Sequence, residues 1–109
     1  MTTEMRDYLI SGDHLDEFVA AWRQGVVPLR ELHGYRIDGA WLIRDERRFV
    51  WLLSLDVPES EWEARNEAYY ADPARAALDP DPAQWIEQTE NRFVELVVPE
   101  ARGAGAVGA

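Results

Sequence analysis

The sequence predicts an α+β domain: a four-stranded antiparallel sheet built in the order β-α-β-β-α-β, with both long helices on one face, the ferredoxin-like arrangement. Three observations lead there. Residues 15–29 carry apolar side chains at helical spacing. Residues 35–56 hold two strand-like runs separated by the polar Asp45-Glu46-Arg47. The second of these runs, Phe49-Val50-Trp51-Leu52-Leu53, is apolar at every position. A strand apolar on both faces is buried on both. In a domain this small, helices cover one sheet face, and a partner subunit is the simplest cover for the other.

Taken in order, Met5 to Ile10 reads as the first strand. Ser11-Gly12-Asp13 is a turn, with Asp13 as the expected N-cap of the helix that follows. That helix places Leu15, Phe18, Val19, Trp22, Val26 and Leu29 on one face of a 3.6-residue period. Pro28 bends or breaks it, since proline removes an N–H and clashes with a preceding carbonyl. Gly34 supplies the C-terminal stop. Tyr35 to Arg44 is the second strand, with Tyr35, Ile37, Gly39, Trp41 and Ile43 on one face. Arg48 to Asp56 is the third. Ser60 and Glu63 stand at capping-box spacing for a second helix reaching about Ala71, with Trp62 and Tyr69 on its inner face. Asp72-Pro73 opens a short helical turn, and Asp81 caps another that holds Trp85 and Ile86. Thr89 to Val98 is the last strand. The domain is expected over 1–98. The Ala/Gly-rich remainder, 99–109, cannot bury enough surface to offset its ordering entropy and is expected to be disordered.

Composition narrows the function. The chain has 109 residues and a net charge of −10, with 21 acidic residues against 11 basic ones, all arginine. Nucleic-acid binding is disfavoured, because phosphate contact relies on clustered Lys and Arg. An anionic membrane surface is disfavoured for the same reason. With no cysteine, disulfides, thiolate catalysis and Cys-based zinc sites are excluded. No signal peptide or membrane-length apolar run is read, and the expected location is cytoplasmic. Five Trp, four Tyr and three Phe are a heavy aromatic load for one small core.

Several segments, in order, resemble a known family. They are Leu15-Asp16-Glu17-Phe18, Val27-Pro28-Leu29, His33-Gly34, Gly39-Ala40-Trp41, Phe49-Val50-Trp51-Leu52, Glu67-Ala68-Tyr69-Tyr70 and the stretch from Ala77 to Ile86. Together they look like the NIPSNAP pattern, over about residues 4–97. The resemblance implies a dimeric α/β barrel, in which two ferredoxin-like sheets pack face to face. It implies no agreed reaction. The wider superfamily includes cofactor-free monooxygenases, haem-degrading enzymes and small-ring cyclases, which stand as analogies.

Candidate sites are few. His14 and His33 lie at opposite ends of the first helix, roughly 30 Å apart at about 1.5 Å per residue, so they cannot share a metal within one subunit. His14 reads as a solvated first-turn residue. His33 reads chiefly as a partner for the last helical carbonyls, with a catalytic base, or a haem ligand in a haem-binding variant, as the sharper reading. Most of the aromatic rings read as core and dimer packing. The sharper reading is an apolar cleft between sheet and helices. Its expected lining is Arg6, Tyr8, Trp41, Tyr69 and Trp85, with Arg6 and Tyr8 sharing a strand face. Asp79 and Asp81 read as turn and cap residues. No carboxylate or histidine cluster has metal-ligand spacing, no Gly-rich phosphate loop is present, and no cofactor is expected.

The leading reading is therefore a NIPSNAP-like homodimer that binds a small apolar or aromatic ligand in that cleft. The alternative is a cofactor-independent monooxygenase or cyclase acting on an aromatic or polyketide-like substrate, with His33, Tyr8 or Tyr69 as the base. A third is an interaction module whose acidic surface meets a basic partner. Trp51 is expected on the dimer face.

Overall fold

A computed structural model describes residues 1–99 of the chain. The strands are β1 (Thr2–Ile10), β2 (Arg36–Ile43), β3 (Arg48–Leu55) and β4 (Ile86–Val94). They form one sheet in the order β2-β3-β1-β4, with every neighbouring pair antiparallel. The main helical segments are α1 (Leu15–Ala21), α2 (Val27–Leu32), α3 (Trp62–Ala71) and the short α4 (Pro73–Ala76). This is the predicted βαββαβ arrangement. The tail expected at 99–109 falls, from residue 100 onward, outside the described residues.

The first helix runs as α1, a π-helical turn over Trp22–Val26, and α2. The wide turn is closed by Val27 N–H donating to the Trp22 carbonyl, five residues back. Pro28 follows at once. It has no N–H to give Gln24, and its ring would press on that carbonyl. Widening the preceding turn resolves the conflict without ending the helix. Gly34 stops the helix at φ +90°, where a Cβ would be strained.

Two predicted caps are corrected. His14, not Asp13, holds the N-cap position of α1, and its side chain makes no capping bond. Ser60 and Glu63 form no capping box, because a 3-10 turn at Glu59–Glu61 comes first and α3 begins at Trp62. Asp72 and Asp81 do cap their turns: each carboxylate accepts a hydrogen bond at 2.9 Å, from the Ala74 and Ala83 N–H respectively.

The core lies between the sheet and the helices. Along β1 burial alternates without a break, and Thr2, Glu4, Arg6, Tyr8 and Ile10 all face the helices. From β3, Phe49, Trp51, Leu53 and Leu55 point the same way. Trp51 is 1% exposed, beneath the helices; its expected place on the opposite, dimer-forming face is a second correction. Its neighbours Val50 and Leu52 occupy that face instead.

A β-bulge explains a third correction. Register shifts between Ile37 and Gly39, so β2 changes faces at Asp38. Tyr35 and Ile37 pack against the core, whereas Trp41 pairs with Val50 and Gly39 with Leu52. Paired residues share a face. Trp41 thus lies on the sheet's open side, 54% exposed, its ring folded across Gly39, where an added Cβ would come 2.5 Å from the indole. Met5, Leu9, Ile43, Val50 and Leu52 complete an apolar patch there.

Candidate functional site

The space between sheet and helices closes to a cavity of about 110 Å³ near the β1–β3 centre. Arg6, Tyr8 and Trp51 come from the strands, Phe18, Trp22, Val26 and Arg30 from the first helix, Tyr69 and Tyr70 from α3, and Arg75 from α4. Pro82, Ala83 and Ile86 close one side. Tyr70 and Ala83 are the exposed members of this lining and mark its mouth.

The walls are mostly aromatic. Trp22 stands edge-on to Trp51 at 5.3 Å and to Phe49 at 4.8 Å, and Tyr8 lies edge-on to Phe18 at 5.9 Å. Edge-to-face pairs contribute about 0.5–1.5 kcal/mol beyond the area they bury, and they fix ring orientation.

Set into this apolar wall are two buried guanidinium groups. Arg6 donates from Nε to Glu4 Oε1 at 2.6 Å, from Nη1 to the Tyr70 hydroxyl at 3.0 Å, and from Nη2 to Asn66 Oδ1 at 3.1 Å. Arg30 donates from Nη1 to the same Asn66 Oδ1 at 3.0 Å and from Nη2 to the same Tyr70 hydroxyl at 3.3 Å. Two neutral acceptors thus bridge two like charges. The local sequence explains how: Glu4 and Arg6 alternate onto one face of β1, and Asn66 and Tyr70 stand four apart on one face of α3. Arg30 also lies 3.7 Å from the Tyr69 ring centre and 4.7 Å from that of Tyr35.

The electrostatics follow from this packing. Burial disfavours the Arg6 charge, but Tyr8, Tyr70 and Glu4 outweigh it and hold the guanidinium above the usual arginine range. Burial lowers Arg30, and the neighbouring Arg6 lowers it further; arginine is still charged at neutral pH. For the Tyr70 phenol, burial pushes upward, yet Arg6, Arg30 and Arg75 together pull it below the ordinary tyrosine value. Tyr69 moves the other way, raised by burial.

Of the predicted ligand residues, Arg6, Tyr8 and Tyr69 are brought together around the cavity. Trp41 is not, because the bulge turns it to the opposite sheet face. Trp85 packs outside the lining, stacked on the His14 ring at 5.6 Å. His33 also stands apart: its Nε2 bonds Asp72 Oδ2 at 2.8 Å, and its ring meets the Tyr69 ring edge-on at 5.5 Å. It ties the end of α2 to the start of α4 and stands behind Tyr69, not among the residues that line the cavity. Arg30, Asn66, Tyr70 and Arg75 were missed as site residues. Arg30 had a signal: with Trp22 and Val26 it falls at i, i+4 and i+8 on the apolar stripe, where a charge is out of place. Among the described residues no three His, Asp or Glu side chains are gathered to hold a metal, and no helix is long and apolar enough to cross a membrane.

Comparison with protein-family models and with curated proteins gives no match. Solved structures do match. An uncharacterized NIPSNAP domain protein from Burkholderia xenovorans superposes with a TM-score of 0.75 at 24% identity, covering 91% of this chain and 97% of its own. A NIPSNAP family protein of unknown function from Agrobacterium tumefaciens gives 0.78 at 16% identity, over 93% and 92%. An antibiotic biosynthesis monooxygenase gives 0.64 at 15% identity, over 89% and 99%. The chain therefore has the ferredoxin-like fold of NIPSNAP proteins, as its segment pattern suggested.

Proposed function

We propose, from the fold shared with NIPSNAP proteins, that this chain is a NIPSNAP-like homodimeric binding protein that holds a small ligand with an apolar or aromatic body between its sheet and helices. The observation that carries this reading is the cavity walled by Tyr8, Phe18, Trp22, Trp51 and Tyr69 with polar side chains converging on it. An apolar, mostly preformed pocket with few polar groups is what small-molecule sites look like. The test is a crystal structure of untagged protein paired with native mass spectrometry. Extra density between Trp51 and Tyr69, with a matching mass, supports the reading. A collapsed, fully packed cleft and a bare-protein mass overturn it.

The homodimer rests on the open sheet face. Met5, Trp41, Ile43, Val50 and Leu52 form an apolar patch that a second copy, packed face to face, would bury. Patches of this kind on a monomer mark interaction sites. The solution mass of the untagged chain decides it, since a monomer at micromolar concentration refutes the assignment.

A second reading, a cofactor-independent monooxygenase or cyclase, draws on the fold shared with the antibiotic biosynthesis monooxygenase and on Tyr70. A phenol whose proton is loosened by three arginines, at the mouth of an aromatic cleft, suits a general acid or base. Oxygen uptake with a panel of polyphenol substrates tests the oxygenase branch. Uptake that Tyr70→Phe leaves unaltered rejects Tyr70 as the base.

A further inference from the structure

We propose that the cleft takes a small organic monoanion, a carboxylate on a compact apolar body, with Arg30 as its counter-charge; this rests on the ligand-binding reading above and names the ligand's class.

Charge is the first argument. Three guanidinium groups line the cavity of a chain that is strongly acidic as a whole. Arg6 is neutralised by Glu4 at 2.6 Å and Arg75 by Asp81 at 3.1 Å. Arg30, 1% exposed, forms no ion pair with a carboxylate among the described residues; its hydrogen bonds go to Asn66 and Tyr70. A buried charge without a counter-charge is costly. One negative charge is the quantity missing.

Hydrogen bonding is the second argument, and it is independent of the first. Five buried polar atoms on lining residues have no partner among the described residues: Trp22 Nε1, Trp51 Nε1, Arg30 Nε, Arg75 Nε and the Tyr69 hydroxyl. The first four only donate, and the fifth is able to donate. Native proteins pair nearly all such groups. Of the neutral acceptors nearby, Asn66 Oδ1 and the Tyr70 hydroxyl are already shared between Arg6 and Arg30, the Tyr8 hydroxyl takes a long 3.5 Å contact from Arg6, and the Tyr35 hydroxyl lies beside Arg30 outside the lining. The lining is therefore short of acceptors, and a carboxylate brings two oxygens and no donor.

Size and shape set the rest. At about 110 Å³ the cavity is smaller than the ~150 Å³ dry cavity that admits benzene, so it fits a head group of a few heavy atoms. Tyr8, Phe18, Val26 and Ile86 offer apolar contact to the body behind it. A carboxylate suits Arg30 better than a phosphate does. It carries one charge rather than nearly two, and it is planar like the guanidinium.

The test follows the indole N–H resonances of Trp22 and Trp51 by nitrogen–proton correlation NMR. Isobutyrate and propionate are compared with isobutyramide and propionamide, and with inorganic phosphate, at constant ionic strength and pH 7. Both carboxylates should bind at least tenfold tighter than their amides and shift both indole signals. Arg30→Met should abolish that preference while the spectrum stays dispersed. If that variant fails to fold, Arg75→Gln serves instead, with a severalfold loss of carboxylate affinity. Amides binding as well as the acids would overturn the anion assignment and leave the binding cleft standing. Phosphate binding as tightly as isobutyrate would overturn the apolar body. No indole shift with any probe would remove both the anion and the cleft.

Discussion

The guanidinium carbon of Arg30 lies 3.7 Å from the centre of the Tyr69 ring. Stacking of a cation on an aromatic face replaces part of the solvation that burial removes, at about 2 kcal/mol for a desolvated pair. The ring matters here and the hydroxyl does not, for the Tyr69 hydroxyl is buried without a partner. Tyr69→Phe should therefore leave stability within about 0.5 kcal/mol or raise it, since an unsatisfied buried hydroxyl costs about 1–3 kcal/mol. Tyr69→Leu should lose about 2 kcal/mol through the missing stack. Urea midpoints of the two variants check the pair, and equal losses would disprove the stacking account.

Among the described residues Glu4 is the one carboxylate bonded to Arg6, at 2.6 Å, and both side chains are buried. Breaking a buried pair on one side costs about 3–5 kcal/mol, because the other charge stays behind. Glu4→Gln still accepts a hydrogen bond, so a loss of about 2 kcal/mol is the expected value. Chemical denaturation measures it, and a neutral result would mean that Arg6 does not depend on Glu4.

The Tyr70 phenol should titrate ahead of Tyr35 and Tyr69, which burial raises. Burial opposes this, but Arg6 and Arg30 at its oxygen, with Arg75 over its ring, favour the phenolate more strongly. Absorbance at the phenolate band, followed upward in pH, should show an early component that Tyr70→Phe deletes. An unchanged curve in the variant would contradict the assignment.

Asp72 gives a pH signature. The hydrogen bonds from His33 and from the Ala74 N–H hold its carboxyl below the usual carboxylate value, which is about 3.9. The sign follows: a depressed folded-state value gives stability that is complete above the unfolded value and is lost as pH falls through the folded one. The gap between the native chain and Asp72→Asn should be open at pH 6 and close below pH about 4. Urea midpoints across that range decide it; a gap independent of pH would remove the ionic part of the contact.

Trp41→Glu should leave the fold intact and yield a monomer by sedimentation. Trp51→Glu should instead prevent folding, because Trp51 is buried beneath the helices. A folded Trp51→Glu monomer would reverse the two residues' roles.

Much of this architecture was legible in the sequence. The helical stripe from Leu15 to Leu29, the polar turn before β3 and the stop at Gly34 each carry a local signal strong enough to survive tertiary packing. The site was legible only in part. Arg6, Tyr8 and Tyr69 follow from strand and helix faces, but the Arg6–Arg30 bridge joins β1, α2 and α3 through Asn66 and Tyr70, and no local pattern specifies a contact between residues so distant in the chain. Trp41 was misplaced for a different reason: alternation assumes an unbroken ladder, and a bulge leaves only a weak mark in sequence, here the small Gly39 after Asp38.

That bulge makes β2 a strand of mixed parity. One extra residue puts the odd-numbered side chains inside before Asp38 and outside after it. Deleting Asp38 would restore a single parity along the strand. Ile37 would stay inside and Trp41 outside, joined by a regular alternation through Gly39 and Ala40. The extra residue is thus what lets Tyr35, Ile37 and Trp41, all an even number of positions apart, serve opposite faces of one sheet.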